Sequence, residues 1–361
     1  RCAALALGRL KQDWAIPSLG AAISDNDASV RQQAAWALGF IPSRSAVNVL
    51  PRALKSPYQG IRKAAAVSLV QQAASPELTE SVIVALINAI TSGGDDDVDI
   101  VPVTEWALVQ IGPVATPLLI KELNNRRLDP EQRSRIPRTL GTLGDERALP
   151  ILVDAILDGR PDEIDGYVEA VAGVGAQAIP ALIDALHGKD ISTSAGLVTA
   201  LGKIGAPAVK PLIEAIAGDL PEVRNAAVRA LEQIGSPAIE PLTHALLFDN
   251  RYEVRRRALE ILGQIGEEHV VSALVAALHD NDIGVRINAV RHLGSLGAKQ
   301  PVPKLIDLLQ QSDQLSLRRV LIASLGSIGD ASAIPTLIAC LDDPELRSAA
   351  TNALSPFADQ V

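Results

Sequence analysis

ALGKIGAPAVKPLIEAI, residues 200–216, decides how the chain is read. Gly202-Lys203 after an apolar run invites a phosphate-binding reading. A loop of the form G-x-x-x-x-G-K-[ST] wraps phosphates with its backbone N–H groups and holds a metal ion with the final hydroxyl. Here the preceding glycine, Gly196, leaves five residues before Gly202 where four are needed, and Ile204 stands in place of the hydroxyl. The stretch instead recurs. PLIEAI, headed by Pro211, has relatives at Pro17 (IPSLGAAI), Pro117 (TPLLIKEL), Pro150 (LPILVDAI), Pro180 (IPALIDAL), Pro241 (EPLTHAL), Pro303 (VPKLIDLL) and Pro335 (IPTLIACL). Asn48, Val84 and Ser272 hold the matching place in three further copies, and successive anchors lie 30 to 36 residues apart. A fixed period of this length is the signature of a repeat architecture. We expect residues 1–361 to form a single array of about eleven two-helix repeats.

Each unit reads as two helices. Apolar residues two, three and six places after the anchor put an aliphatic stripe on one face of the first helix. Proline is tolerated at its start because the first N–H groups of a helix have no intrahelical partner. The second helix is exemplified by VRNAAVRALEQIG, residues 223–235, where Val223, Ala226, Ala227, Ala230, Leu231 and Ile234 share a face and Asn225 and Glu232 point away. Polar turns such as SDNDAS, HDNDIG and LDDPE supply Asp and Asn to cap the second helix. LGKIGAP, LEQIGSP, LGQIGEE, LGSLGAK and LGSIGDA end it with a glycine able to take positive φ. Lys203 occupies a variable corner position, since four of these five copies lack it.

A tandem hairpin with AIPxLIxAL in its first helix and VRxxAxxALGxIG in its second resembles the HEAT repeat, in particular the short variety of phycobilisome lyases. The resemblance runs from RCAALALGRL (1–10), a second helix without its mate, to LRSAATNALSPF near the end. It implies an all-α fold, an α-solenoid or superhelix whose second helices line the concave surface. It also implies a non-catalytic scaffold that binds a protein partner, with a bilin lyase or chromophore-handling chaperone of phycobiliproteins as the alternative. Repeat-consensus residues serve packing between neighbours, so the motifs specify fold better than function.

Composition agrees with helix-on-helix packing: 48% of the 361 residues are apolar, yet Trp, Tyr and Phe number three each. With 33 basic and 42 acidic residues the net charge is −9, which opposes general attraction to nucleic acid or to an anionic membrane. No run of 18 apolar residues is present, so no membrane span is expected. Cys2 and Cys340 form neither a disulfide framework nor a metal cluster, which points to a reducing, cytoplasmic setting. The sequence starts at Arg1 and has no methionine, so we expect a piece of a longer chain. The unmated first helix is expected to leave an apolar end prone to self-association.

An arginine recurs near the start of the second helix: Arg31, Arg62, Arg133, Arg224, Arg255, Arg286, Arg318 and Arg347. A basic ladder for phosphates is one reading. The favoured one is structural, because each arginine flanks the apolar stripe near acidic turn residues such as Asp25, Asp249 and Asp280. Val101, Ile164 and Ser194 replace it in three units. The outward positions, one and five residues after the ladder site, form the candidate partner-binding row. Its principal members are Trp36, Trp106, Arg138, Arg229, Arg256 and Arg291. The two tryptophans either face a partner or pack on a neighbouring helix. Asp95, Asp96, Asp97 and Asp99 lack the closing glutamate of an EF-hand, so no metal is expected there. None of His187, His244, His269, His279 and His292 precedes a glutamate, against the His-Glu pairs of the HEAT-like di-iron hydroxylase. An acidic chain is also a poor match for a HEAT-like DNA glycosylase. Neither a catalytic residue nor a cofactor is assigned.

Overall fold

The structure, a computed structural model, describes residues 2–92, 100–125, 127–158, 163–189, 194–266 and 270–357. Among them every regular element is an α-helix or a short 3-10 turn. The chain divides into two compact units, Arg1–Ala185 and Leu186–Val361.

In the first unit the second-type helices are Cys2–Arg9, Ala28–Gly39, Gln59–Ala73, Ile100–Ile111, Pro130–Leu143 and Ile164–Val174. Between them run the first-type helices Ile16–Ala22, Arg44–Val49 continued by Pro51–Leu54, Pro76–Thr91, Thr116–Leu123, Leu149–Asp158 and Ile179–Ala185. The second unit repeats the scheme. Its second-type helices are Ala195–Ile204, Pro221–Ile234, Tyr252–Ile265, Ile283–Ser295, Leu315–Ile328 and Arg347–Leu354, alternating with Ala206–Ile216, Ile239–Phe248, Val270–Ala277, Val302–Gln311 and Ile334–Ala339. Within each unit helices of one type stack on the next of their kind and on their hairpin mates. This is an α-solenoid.

The local chemistry follows the sequence pattern. Asp27 and Asp282 cap their helices by accepting from the amides of Ser29 and Val285, and Asp129 forms a full capping box with Gln132. Gly205 closes Ala195–Ile204 at φ 74° and ψ −135°, a sparsely populated region that glycine enters without the roughly 1–3 kcal/mol cost borne by other residues. Gly202, three residues earlier, sits inside the helix, and a Cβ there would lie 2.7 Å from the Gln233 side chain of the next second helix. The two glycines of LGKIG thus have separate tasks, one ending a helix and one admitting its neighbour.

Most anchor prolines occupy the second residue of their helix, as at Pro17, Pro117, Pro150, Pro180, Pro303 and Pro335. Pro211 departs from this expectation: it is interior to Ala206–Ile216, which starts a turn early with Pro207 as its second residue. Asn48 and Val84 likewise fall inside their helices. Before six of the first helices a 3-10 turn ends on a wholly buried alanine: Ala15, Ala115, Ala148, Ala178, Ala238 or Ala333. In the helix that starts early, Ala208 fills the equivalent buried place. A methyl is what fits where the chain turns from one helix row into the other, and any larger side chain would overpack.

One stretch is more apolar than the sequence reading allowed. Ile164–Ala185, 22 residues of mean hydropathy 1.3, is long and apolar enough to cross a membrane on length and composition alone. Gly175 at φ 79° divides it into two helices, it carries Asp165, Glu169 and Asp184, and Tyr167, Val168, Val171, Ile179 and Leu182 bury against neighbouring helices. The pattern is that of a core hairpin.

Candidate interaction surface

The ladder arginines come first because they set what remains exposed. Arg31 donates from Nη1 to the carbonyls of Asp25 (2.6 Å) and Asn26 (3.1 Å). The same grip recurs in Arg62 on Ser56 (2.8 Å), Arg133 on Leu128 (2.9 Å), Arg224 on Gly218 and Asp219 (2.8 and 2.7 Å), Arg286 on Asp280 (2.6 Å) and Arg347 on Leu341 (2.9 Å). Each guanidinium therefore satisfies carbonyls of the turn that follows its own first helix. Several also reach the following repeat. Arg255 holds both carboxylate oxygens of Asp280 at 2.8 and 3.1 Å, Arg318 reaches Asp343 at 3.1 Å, Arg133 lies 3.7 Å from Glu163, and Arg31 stacks on Tyr58 at 4.7 Å. Asp25 and Asp249 thus meet their own arginine through the backbone. Their carboxylates instead accept from amides two residues on, at Asp27 and Arg251.

In two of the three units without the ladder arginine, the next second helix supplies a cation. In the unit with Val101, Arg135 reaches the carbonyl of Ile90 at 3.2 Å. In the unit with Ser194, Arg229 donates to the Ser194 hydroxyl at 2.8 Å. Arg229, a member of the candidate row, is therefore half-buried and held by Ser194.

The row itself falls on two units. Trp36, Trp106 and Arg138 belong to the first, and Arg229, Arg256 and Arg291 to the second. Trp36 is half-buried, whereas Trp106 is 43% exposed. Next to Trp106, the nearly buried Glu105 meets the exposed Arg138 at 3.3 Å and accepts from Thr142 at 3.4 Å. Arg256 is half-buried and donates to Glu253 at 2.9 Å, and exposed Arg291 donates to Asn288 at 2.9 Å. Exposed aromatics off the row were missed: Trp14, Tyr58, Phe248 and Tyr252 are all more than half exposed. Phe248 lines a groove with His244, Pro241 and Lys210, its ring 5.0 Å from that of His244. Their signal was composition alone, since none shares a register with another.

Electrostatics are organised around turns. The Arg147 side chain holds the Asp145 carboxyl at about 2. For Asp280 burial pulls the pKa up, but hydrogen bonds from Arg255 and from the Asp282 amide outweigh it and leave it lowered. Burial pushes His292 below its usual value, with Glu260 pulling the other way. The unfolded chain then takes up this proton first, so acidification below about pH 6.5 should cost stability, and His292→Gln should flatten that part of a pH–melting curve.

His187, His244 and His279 are exposed at or near first-helix ends, and His269 and Asp95–Asp99 lie outside the described residues. Among the described residues no three His, Cys, Asp or Glu side chains gather at metal-binding distance. Cys2 is exposed and Cys340 buried, both as free thiols.

An all-helical solenoid of hairpins, pinned by a turn-capping arginine, defines the class of protein. The sequence matches HEAT repeats over residues 1–70, 179–247, 209–284, 239–320 and 271–355, more than half of its length, and the chain belongs to that family. No curated protein matches it. Among solved structures it is similar to the karyopherin Kap121p bound to the extreme C-terminus of the protein phosphatase Cdc14p, at 14% identity and a TM-score of 0.39. That likeness covers 96% of this chain and 46% of the karyopherin, so the chain spans less than half of that relative's length. Human deoxyhypusine hydroxylase in complex with glycerol is 21% identical with a TM-score of 0.31, over 89% of this chain and 98% of that one. The complex of CpcE and CpcF of phycocyanin lyase from Nostoc sp. PCC7120 is 24% identical with a TM-score of 0.31, over 41% of this chain and 97% of that one. Likeness at these scores carries no argument about activity.

Proposed function

We propose that the chain is a non-catalytic scaffold that binds a protein partner through the outward face of its second helices. The observation that carries this reading is Trp106, 43% exposed, with exposed Lys63, Pro102 and Arg138 beside it along the row. A large aromatic left in water on a regular helix face costs apolar exposure unless a partner covers it. A free-thiol chemistry at both cysteines suits a cytoplasmic setting. The test is capture of a partner by the protein and by a variant with alanine at Trp36, Trp106, Arg138, Arg229, Arg256 and Arg291. Loss of capture with unchanged helicity is expected, and undiminished capture would remove the reading. The competing reading is a bilin lyase of the phycobilisome type, which draws on the repeat resemblance alone. Mixing with phycocyanobilin and a phycobiliprotein should give no red-shifted band if the scaffold reading holds.

A further inference from the structure

Four consecutive second helices of the first unit, Ala28–Gly39, Gln59–Ala73, Ile100–Ile111 and Pro130–Leu143, pack one on the next. In a chain of net charge −9 these helices contain two carboxylates. Each is paired with an arginine, Glu105 while buried and Glu131 while 61% exposed. Glu105 is 9% exposed and tied to Arg138, and Glu131 accepts from Arg135 at 2.6 Å. The outward register across the four helices carries half-buried Trp36, exposed Lys63 with half-buried Val67, exposed Pro102 with Trp106, and exposed Arg138. The side chain of Arg138 is 78% exposed beyond its contact with Glu105. The acid-free register stops at Ile164–Val174, whose equivalent positions are Asp165 and Glu169.

A face that is apolar and aromatic, bears cations at its outward register and holds its two carboxylates in arginine pairs selects by charge. We propose that this face binds an acidic peptide segment with apolar anchors, the anchors covering Trp36, Val67, Pro102 and Trp106 and the carboxylates meeting Lys63 and Arg138. This rests on the protein-binding reading and narrows it to a partner chemistry and to the first unit. Helices packed at 8–10 Å give the register a length on the order of 30 Å, which about ten extended residues span. Lys63 is the cleaner probe of charge, because Arg138 also neutralises Glu105.

The experiment uses the full chain and fluorescein-labelled ten-residue peptides read by anisotropy: one alternating Glu with Leu and Phe, one with Lys in place of Glu, and one of Glu and Gly only. The Glu/Leu/Phe peptide is expected to bind, and to weaken as salt rises from about 50 to about 300 mM. Trp106→Ala and Lys63→Glu, with unaltered melting, should each weaken it by about tenfold or more, while Lys304→Ala, at an exposed position on a first helix of the second unit, leaves it unchanged. Equal or tighter binding of the Lys peptide, no binding of the Glu/Leu/Phe peptide, indifference to both substitutions, or displacement of the peptide by a short oligonucleotide would each overturn the proposal. If the six-alanine variant loses partner capture while the acidic peptide fails to bind, the scaffold reading survives and this one falls.

Discussion

Arg255→Ala is expected to destabilise the second unit by about 2–3 kcal/mol, less than the roughly 3–5 kcal/mol lost when a fully buried ion pair is broken, because this pair is partly exposed. The side chains of Arg255 and Asp280 are 14% and 10% exposed, and the guanidinium donates to both oxygens of that carboxylate. It also donates to the carbonyls of Asp249 (3.0 Å) and Asn250 (3.2 Å), so its removal leaves the Asp280 carboxylate with the Asp282 amide in place of a cation and takes a donor from two turn carbonyls at once. The double variant with Asp280→Ala should lose less than the sum of the two single changes. Arg347→Ala, which vacates one carbonyl at an exposed position, should cost about 1 kcal/mol. Asp280 is lowered in the folded state, so the pair's contribution is complete above the usual carboxylate pKa and disappears as pH falls through the lowered one. Urea unfolding across pH 2–7 reads both effects; an Arg255→Ala loss no larger than that of Arg347→Ala would show that the bridge between repeats is not what secures them.

Two glycines 25 residues apart should answer substitution with opposite signs. A Cβ on Gly141 would sit 2.6 Å from the Ala170 Cα and 2.7 Å from its carbonyl oxygen, backbone atoms that cannot step aside. Gly141→Ala should therefore cost about 1–3 kcal/mol through overpacking, and Gly141→Leu more. Gly166, in Ile164–Val174, would place a Cβ with nothing within 4 Å, so Gly166→Ala should stabilise by about 0.5–1 kcal/mol through helix propensity. Repeat arrays open locally, so hydrogen exchange in residues 130–174 is the better readout, alongside melting. Destabilisation at both positions would mean that the packing of these two helices tolerates no backbone change at all, contrary to the open space at Gly166.

Much of the hairpin series was legible because a period multiplies weak signals. One Gly-Xaa-Xaa-Gly is ambiguous, but five copies of LGKIG-like corners identify Gly205 as a helix stop, and its φ of 74° is what that position demands. The turn caps at Asp27, Asp129 and Asp282 follow from the same local chemistry. The partners of the ladder were less legible, since a guanidinium near an Asp can take its carboxylate or its carbonyl. At Asp25 and Asp249 it took the carbonyl, and at Asp280 one arginine took each. The substitution of Arg135 and Arg229 for missing ladder residues joins positions 45 and 35 residues apart, which no period of the sequence marks. Periodicity also treats Trp36 and Trp106 alike; only the packing of adjacent helices half-covers the first and leaves the second 43% exposed.

By itself the sequence determined the helical period, the order of helix, turn and stop, and the residues that cap and end each element. All of these depend on interactions within a few residues along the chain. The tertiary structure decided which glycine meets a neighbouring backbone, which alanine is wholly enclosed, where a borrowed arginine reaches and which tryptophan remains for a partner. Those outcomes depend on how closely one repeat lies against the next, and that distance is set by side chains some thirty residues away.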